Sequence, residues 1–302
     1  MCPENFQSEF QKKRSKPLNT KFIAEVSSNH NQNLDRSLQF IRIAKEIGFD
    51  AVKFQLFRVE ELFSIEALSA HPNLLERKQW ELPEEFIPIL AEESKKLGIE
   101  FSCTPFYLDA VSILEPYVDF YKIASYELLW HDLAIACAKT GKPLVISTGM
   151  ATMDEVEKSV RLLQSEFPRI DLSILHAVSS YPAPTEQCNL SVISTLRNTF
   201  NLPTGWSDHT VSDAVINAAV LSEKASLVEL HIDLDGSGAE FISGHCWLPE
   251  QAKLMISNIR EGLTAIGDGI KNPVEAEISD RDWRADPSDG LRPLKAKRNH
   301  IN

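Results

Sequence analysis

Phe22-Ile-Ala-Glu-Val26 is a short apolar run broken near its end by a carboxylate, and seven runs of similar build follow it. They are Ala51 to Gln55, Glu100 to Thr104, Phe120 to Ala124, Pro143 to Thr148, Ser173 to Val178, Pro203 to Asp208 and Leu227 to Ile232. Nearly all carry a polar or charged residue at the distal end: Glu25, Lys53 with Gln55, Thr104, Lys122 with Ser125, Ser147, Ser207 with His209, and Glu229 with His231. A charge buried on a strand is costly unless it is paired or bound to something. That cost, repeated at one end of successive strands, is the pattern of a barrel enzyme's active face.

Between these runs lie helical patterns, at Leu34 to Ile47, Pro83 to Leu97, Leu108 to Leu114, Leu129 to Lys139, Thr152 to Leu163, Leu190 to Phe200, Ser212 to Glu223 and Glu250 to Ile266. Gly48, Gly98 and Gly141 stand where three of them should stop, and Thr152 with Glu155 has capping-box form. Strict alternation of strand and helix predicts a parallel sheet, and eight repeats predict a closed TIM (β/α)8 barrel. An open doubly wound sheet would carry a glycine-rich phosphate turn after its first strand, and Glu25-Val-Ser-Ser-Asn-His30 has no glycine. The spacing predicts a loose N-terminal arm over residues 1–20, a barrel domain over 21–270 and a short polar C-terminal tail over 271–302. Phe57 to Glu81, with Trp80, is an insertion expected to form a lid or rim over the active face.

The 302 residues, 43% hydrophobic and 25% charged, suffice for one large core. No apolar stretch reaches the length of a membrane span, and the basic start (Lys12, Lys13, Arg14, Lys16) lacks the apolar segment of a secretory signal. Five cysteines without CxxC spacing favour reduced thiols and a cytoplasmic location. A formal charge of −12 argues against nucleic acid as a partner.

Residues two apart share a face of a strand, so Lys53 and Lys122 are expected to converge on the barrel mouth with Thr104, Ser125, Ser147 and Ser207 as further donors. Such a lattice suits a phosphate together with a carboxylate. The plainer reading pairs the lysines with Glu25, Glu127 or Glu229 and goes no further. His209 and His231 end neighbouring strands of a closed barrel and are either the start of a divalent-metal site or two separately hydrogen-bonded histidines.

Several runs together resemble the sialic acid synthase (N-acetylneuraminate synthase) family. They are Phe22-Ile-Ala-Glu-Val-Ser-Ser-Asn-His30, Ala51-Val-Lys-Phe-Gln55, Thr104-Pro-Phe106, Tyr121-Lys-Ile-Ala-Ser125, Gly141-Lys-Pro143 with Ser147-Thr-Gly-Met-Ala151, Tyr181-Pro-Ala-Pro184 and Trp206-Ser-Asp-His-Thr210. The resemblance, over about residues 20–270, implies a cytoplasmic homodimeric enzyme that condenses phosphoenolpyruvate with an N-acyl-hexosamine-like aldose, giving a nonulosonic 2-keto-3-deoxy sugar acid and phosphate. It implies a divalent cofactor, Mn2+ or Mg2+, held by His209 and His231. By the same resemblance Lys53, Thr104, Lys122, Ser125, Ser147 and Ser207 bind phosphoenolpyruvate, while Glu25, Gln55 and Tyr181 face the acceptor and the attacking water. Glu127 and Glu229 complete the catalytic carboxylates. The same chemistry on another aldose, or a catalytically silent sugar-binding barrel, remain the alternatives.

Two departures stand out. Family members continue into an antifreeze-like C-terminal domain whose arginine contacts the sugar, whereas this chain ends at Asn302, and Arg281, Arg284 or Arg292 is expected to stand in. In place of the family's Gly-Pro-Asp segment after His231 the chain has Gly238-Ala-Glu-Phe-Ile-Ser-Gly-His-Cys-Trp247, in which Glu240 and His245 either contact substrate, add a metal ligand or fold away.

Overall fold

Eight parallel strands follow one another around a barrel in a computed structural model that describes residues 19–298 and 300. They are β1 (Lys21–Glu25), β2 (Ala51–Leu56), β3 (Glu100–Pro105), β4 (Tyr121–Ile123), β5 (Leu144–Ser147), β6 (Leu172–Ala177), β7 (Thr204–Asp208) and β8 (Leu227–His231). Their order, β3-β2-β1-β8-β7-β6-β5-β4, places first and last strands side by side, with Glu25 opposite His231. The remaining seam, between β3 and β4, is closed by a parallel bridge from Ser102 to Phe120 and by the Ser102 hydroxyl donating to the Phe120 carbonyl at 2.9 Å. The expected TIM barrel is therefore the observed fold.

The period of two explains both the core and the site. Phe22, Ala24, Val52, Phe54, Tyr121, Ile123, Ile146, Ile174, Trp206, Val228 and Leu230 point outward into one large apolar core shared with the helices. The alternate residues Ile23, Ala51, Phe120, Val145, Leu175 and Leu227 form a separate small cluster within the bore. Two residues further along, the same inward faces carry Glu25, Lys53, Lys122, Ser147 and Glu229, all buried. An apolar plug thus fills the lower barrel and polar groups fill the layer above it. On β7 the plug position is Gly205, where a Cβ would lie 2.0 Å from the Leu227 carbonyl and 2.8 Å from a Leu175 methyl. Leu175 and Leu227 already occupy that space.

The helices that wrap the barrel are α1 (Leu34–Ile47), α2 (Ile87–Leu97), α3 (Leu108–Leu114), α4 (His131–Lys139), α5 (Met153–Glu166), α6 (Val192–Phe200), α7 (Asp213–Asn217) and α8 (Pro249–Ile266). Gly48 ends α1 at φ +104°, a conformation that a side chain disfavours, and the Thr152–Glu155 capping box starts α5. The helix expected over Ser212 to Glu223 stops at Asn217 and continues as a π turn over Ala218–Ser222, which keeps Ala219 and Val220 buried. The helix expected from Leu129 starts at His131, because a tight turn over Ser125–Glu127 occupies the preceding chain.

The insertion after β2 forms short helices at Val59–Leu62 and Ile65–Ala70 and a 3-10 segment at Pro72–Trp80. Gln32, in the β1–α1 loop, donates to the carbonyls of Lys78 and Glu81 at 2.8 and 3.0 Å, so the insertion forms part of the rim at the strands' C-terminal ends. The chain beyond Ile266 belongs to a second compact unit, with short turns at Glu275–Glu277 and Arg281–Trp283 and a helix at Lys295–Arg298. Within it Arg284 Nε donates to the Arg281 carbonyl at 2.6 Å. Among the described residues no helix is long and apolar enough to cross a membrane.

Candidate active site

The polar layer is an ion-pair lattice closed off from water. Lys53 pairs with Glu25, lies 3.7 Å from Glu229 and donates to Thr104 Oγ1 at 3.1 Å. Lys122 donates to Glu229 Oε1 at 3.2 Å, and the Ser207 hydroxyl donates to the same oxygen at 3.1 Å. Gln55 Nε2 donates to Glu25 Oε1 at 2.6 Å. The strands β1, β2, β3, β4, β7 and β8 thus bring seven of the predicted residues into one contact network.

Burial and charge pull these groups in different directions. Burial raises the Glu25 carboxyl, and nearby Lys53 offsets that only in part. Burial would raise Glu229 as well, but Lys122 and Lys53 together hold it down at about 2, a fixed anion. Burial lowers Lys53, yet Glu229 and Glu25 outweigh it and the group stays firmly protonated. For Lys122 burial prevails and its affinity for the proton falls. Lys122 is therefore the cation whose charge is least compensated, and an incoming anion gains most from meeting it.

Beside this lattice the loops after β4, β5 and β6 form a small cradle. Gly149 N–H donates to Ser125 Oγ at 3.0 Å, and a Cβ at position 149 would lie 2.3 Å from Ser179 Oγ and 2.9 Å from Ser125 Oγ. Ser147 Oγ, Ser179 Oγ and Glu127 Oε2 are sealed from solvent and have no hydrogen-bond partner among the described residues. Burial pushes the Glu127 carboxyl up to about 7. Unpaired hydroxyls around a position without a side chain suit an anionic, oxygen-rich ligand.

Across the mouth stands a group of imidazoles. The ring centroids of His209 and His231 are 5.3 Å apart, and those of His231 and His245 are 4.6 Å apart. His209 Nδ1–H donates to the Val178 carbonyl at 2.7 Å, which leaves its Nε2 free. His231 Nδ1 lies 3.1 Å from Glu240 Oε2, and His245 Nε2 lies 3.6 Å from the same oxygen. Tyr181, 42% exposed, stacks its ring 4.2 Å from that of His209 and 4.9 Å from that of His245. His231, Glu240, His245 and Cys246 each offer one donor atom, all within 4.8 Å of one another. Imidazole and carboxylate donors so close together fit a borderline divalent ion.

Apart from the tail arginines, which belong to the unit beyond Ile266, the residues expected to carry chemistry lie at the strands' C-terminal ends or in the loops that follow them. Ser179, Gly149, Ser27 and Asn29 escaped the sequence reading. Ser179 and Gly149 lie beyond the strands, where alternation gives no signal. Ser27 and Asn29 lie inside a quoted run, but their partner Glu240 comes from the far end of the barrel sequence.

The NeuB family model matches residues 40–271. The chain is 39% identical over 261 residues to an uncharacterized protein of Methanocaldococcus jannaschii, covering 85% of this chain and 75% of that one. It is 32% identical over 270 residues to the N,N'-diacetyllegionaminic acid synthase of Campylobacter jejuni, covering 85% and 80%. The crystal structure of the N-acetylneuraminic acid (sialic acid) synthetase of Leptospira borgpetersenii, in complex with citrate, superposes with a TM-score of 0.79 at 27% identity, over 90% of this chain and 93% of that one. With its strand order, its polar bore and a match over most of its length, the chain belongs to the NeuB family, the sialic acid synthase family that its strand-end motifs resemble.

Proposed function

We propose that this chain condenses phosphoenolpyruvate with an N-acyl-hexosamine-like aldose to a nonulosonic 2-keto-3-deoxy sugar acid, releasing phosphate. The observation that carries the reading is the buried Lys53–Glu229–Lys122 lattice beside unpaired hydroxyls at one end of the barrel. Two lysines and several hydroxyls match a ligand with a phosphate and a carboxylate, and the family's synthases supply the reaction type.

In this account Lys53, Lys122, Thr104 and Ser207 hold one anionic end of phosphoenolpyruvate, and Ser125, Ser147 and the Gly149 cradle hold the other. C3 of phosphoenolpyruvate forms a bond to the aldehyde carbon, whose oxygen takes up a proton. Water adds at C2, and the bond from C2 to the phosphate oxygen breaks. Glu25, with its raised proton affinity and its Gln55 contact, takes the proton of that water. Glu229 stays ionised and spreads negative charge opposite both lysines. Glu127, near neutral in its proton affinity, exchanges a proton with the acceptor or the departing phosphate. Tyr181 lies at the mouth, where the acceptor enters. Bound at His209 and His231, a divalent metal would supply Lewis-acid polarisation of the acceptor's carbonyl oxygen. The division into an arm over 1–20, a barrel domain over 21–270 and a tail over 271–302 is part of this proposal, and residues 1–18 of the arm lie outside the described residues.

Phosphate release from phosphoenolpyruvate in the presence of Mn2+, assayed over N-acetylmannosamine-like, 6-deoxy, pentose and tetrose sugars, tests this. Release with the N-acyl sugars supports it, and release only with shorter sugars moves the reading to another acceptor. No release with any of them leaves a silent binding barrel.

A further inference from the structure

The loop between β8 and α8 carries Glu240 and His245 into the histidine group and holds them there by hydrogen bonds and a buried ion pair. We propose that Glu240 and His245 belong to the divalent-metal centre, so that three imidazoles (His209, His231, His245) and one carboxylate hold the ion, and that this set selects a first-row transition metal over Mg2+. The inference rests on the metal role given above to His209 and His231.

Geometry carries it. The three ring centroids stand 5.3, 4.6 and 6.2 Å apart, and the Glu240 carboxylate lies against His231 and His245 together. His245 Nδ1 is buried with no partner among the described residues. A simple loop anchor would need one imidazole on Glu240, whereas two meet it and a third faces them. Cys246 turns its Sγ to the Asn29 amide at 3.4 Å, so it backs the group.

The loop is built to hold these donors still. Glu240 N–H donates to Asn29 Oδ1 at 2.8 Å, Asn29 Nδ2 donates to the Ile232 carbonyl at 2.8 Å, and the Ser27 hydroxyl donates to Glu240. Fully buried Asp233 pairs with Arg36 at 2.6 Å and accepts the backbone N–H of Gly236 at 2.6 Å. A Cβ at Gly238 would stand 2.3 Å from Asp233 Oδ1 and 2.5 Å from Asn29 Oδ1, so the loop backbone packs directly on these groups. Beyond His245, Trp247 bridges back to Ile232 and donates its Nε1–H to Asp208 at 3.1 Å. Ser27, Asn29 and Asp208 are thereby positioning residues for the donors. Imidazole-rich sets favour borderline transition ions, while Mg2+ prefers oxygen and retained water.

Calorimetric titration of the metal-stripped full chain with Mn2+, and with Mg2+ as competitor, tests the proposal. It is run on the wild type and on His209→Ala, His245→Ala and Glu240→Ala, with circular dichroism as the check on folding. Expected is one Mn2+ per chain that Mg2+ in large excess does not displace, with affinity falling about 10-fold or more in each variant. Pulsed electron paramagnetic resonance of Mn2+ in the wild type, which needs no variant, should count three coupled imidazole nitrogens. Two nitrogens, unchanged affinity in His245→Ala, or ready displacement by Mg2+ would overturn it while the two-histidine reading stands. A sulfur-to-metal charge-transfer band on loading with Co2+ would overturn it in favour of Cys246. Failure of the wild type to bind any divalent ion would remove the metal role of His209 and His231 as well.

Discussion

Glu127 shows how one side chain's surroundings become a property of the whole protein. Burial raises its folded-state carboxyl from 4.5 to about 7. Between those values the folded chain holds a proton that the unfolded chain has lost, so stability falls as pH rises through that window. Below it both states are protonated and the cost vanishes; above it the cost is fully present. Glu127→Gln should flatten this slope and stabilise the protein at pH 8 by about 2 kcal/mol, allowing for partial exposure. Unfolding free energies measured from pH 5 to 8 check it, and parallel curves for the two proteins would refute it. Glu229 has the opposite character. Glu229→Gln strips Lys122 of its counter-charge, so a loss of about 3 kcal/mol in chemical denaturation is expected. Lys53, Lys122 and Glu229 were legible because each sits two residues past an apolar inward position. The Glu240–His245 contact was not, since it depends on the path of an irregular loop.

Strands and loops divide the work between them. Strand identity was readable from apolar runs, and their ends shift by no more than one residue, because pairing partners decide where a ladder stops. Pro143 and Pro203, for example, lie just outside β5 and β7. The β7–β8 pairing has no spare room in the bore at Gly205, so Gly205→Ala should cost about 3 kcal/mol of stability, read as a lowered thermal midpoint. A midpoint unchanged from the wild type would mean that the Leu227 backbone as well as Leu175 gives way freely. In the loop after β8, Arg36→Ala leaves Asp233 a buried charge with backbone donors only. Hydrogen exchange should then quicken over residues 232–247 while the β4–β5 ladder keeps its protection. Uniform quickening throughout the barrel would contradict a local role for the pair.

At the scale of the molecule, eight repeats of strand and helix were enough to predict the barrel, because only closure hides a polar inner layer from both faces of a parallel sheet. Closure itself rests on modest contacts at one seam, Ser102 to Phe120, which no local pattern announces. Family membership extends over residues 40–271, and the unit beginning at Ile266 lies almost wholly outside that match. Neither its turns nor its arginines carry a periodic signal from which a role could be read. Tyr181, Glu240 and His245 stand together at the mouth, where the proposed acceptor would enter. The central claim is that phosphoenolpyruvate and an aldose are joined here, and it is met most directly by following phosphate release together with product mass. With Mn2+ and an N-acyl-hexosamine, phosphate should appear only when the sugar is present, matched mole for mole by a product equal in mass to both substrates plus water less phosphate. Phosphate released at the same rate without any sugar, or sugar consumed without that product, would contradict it.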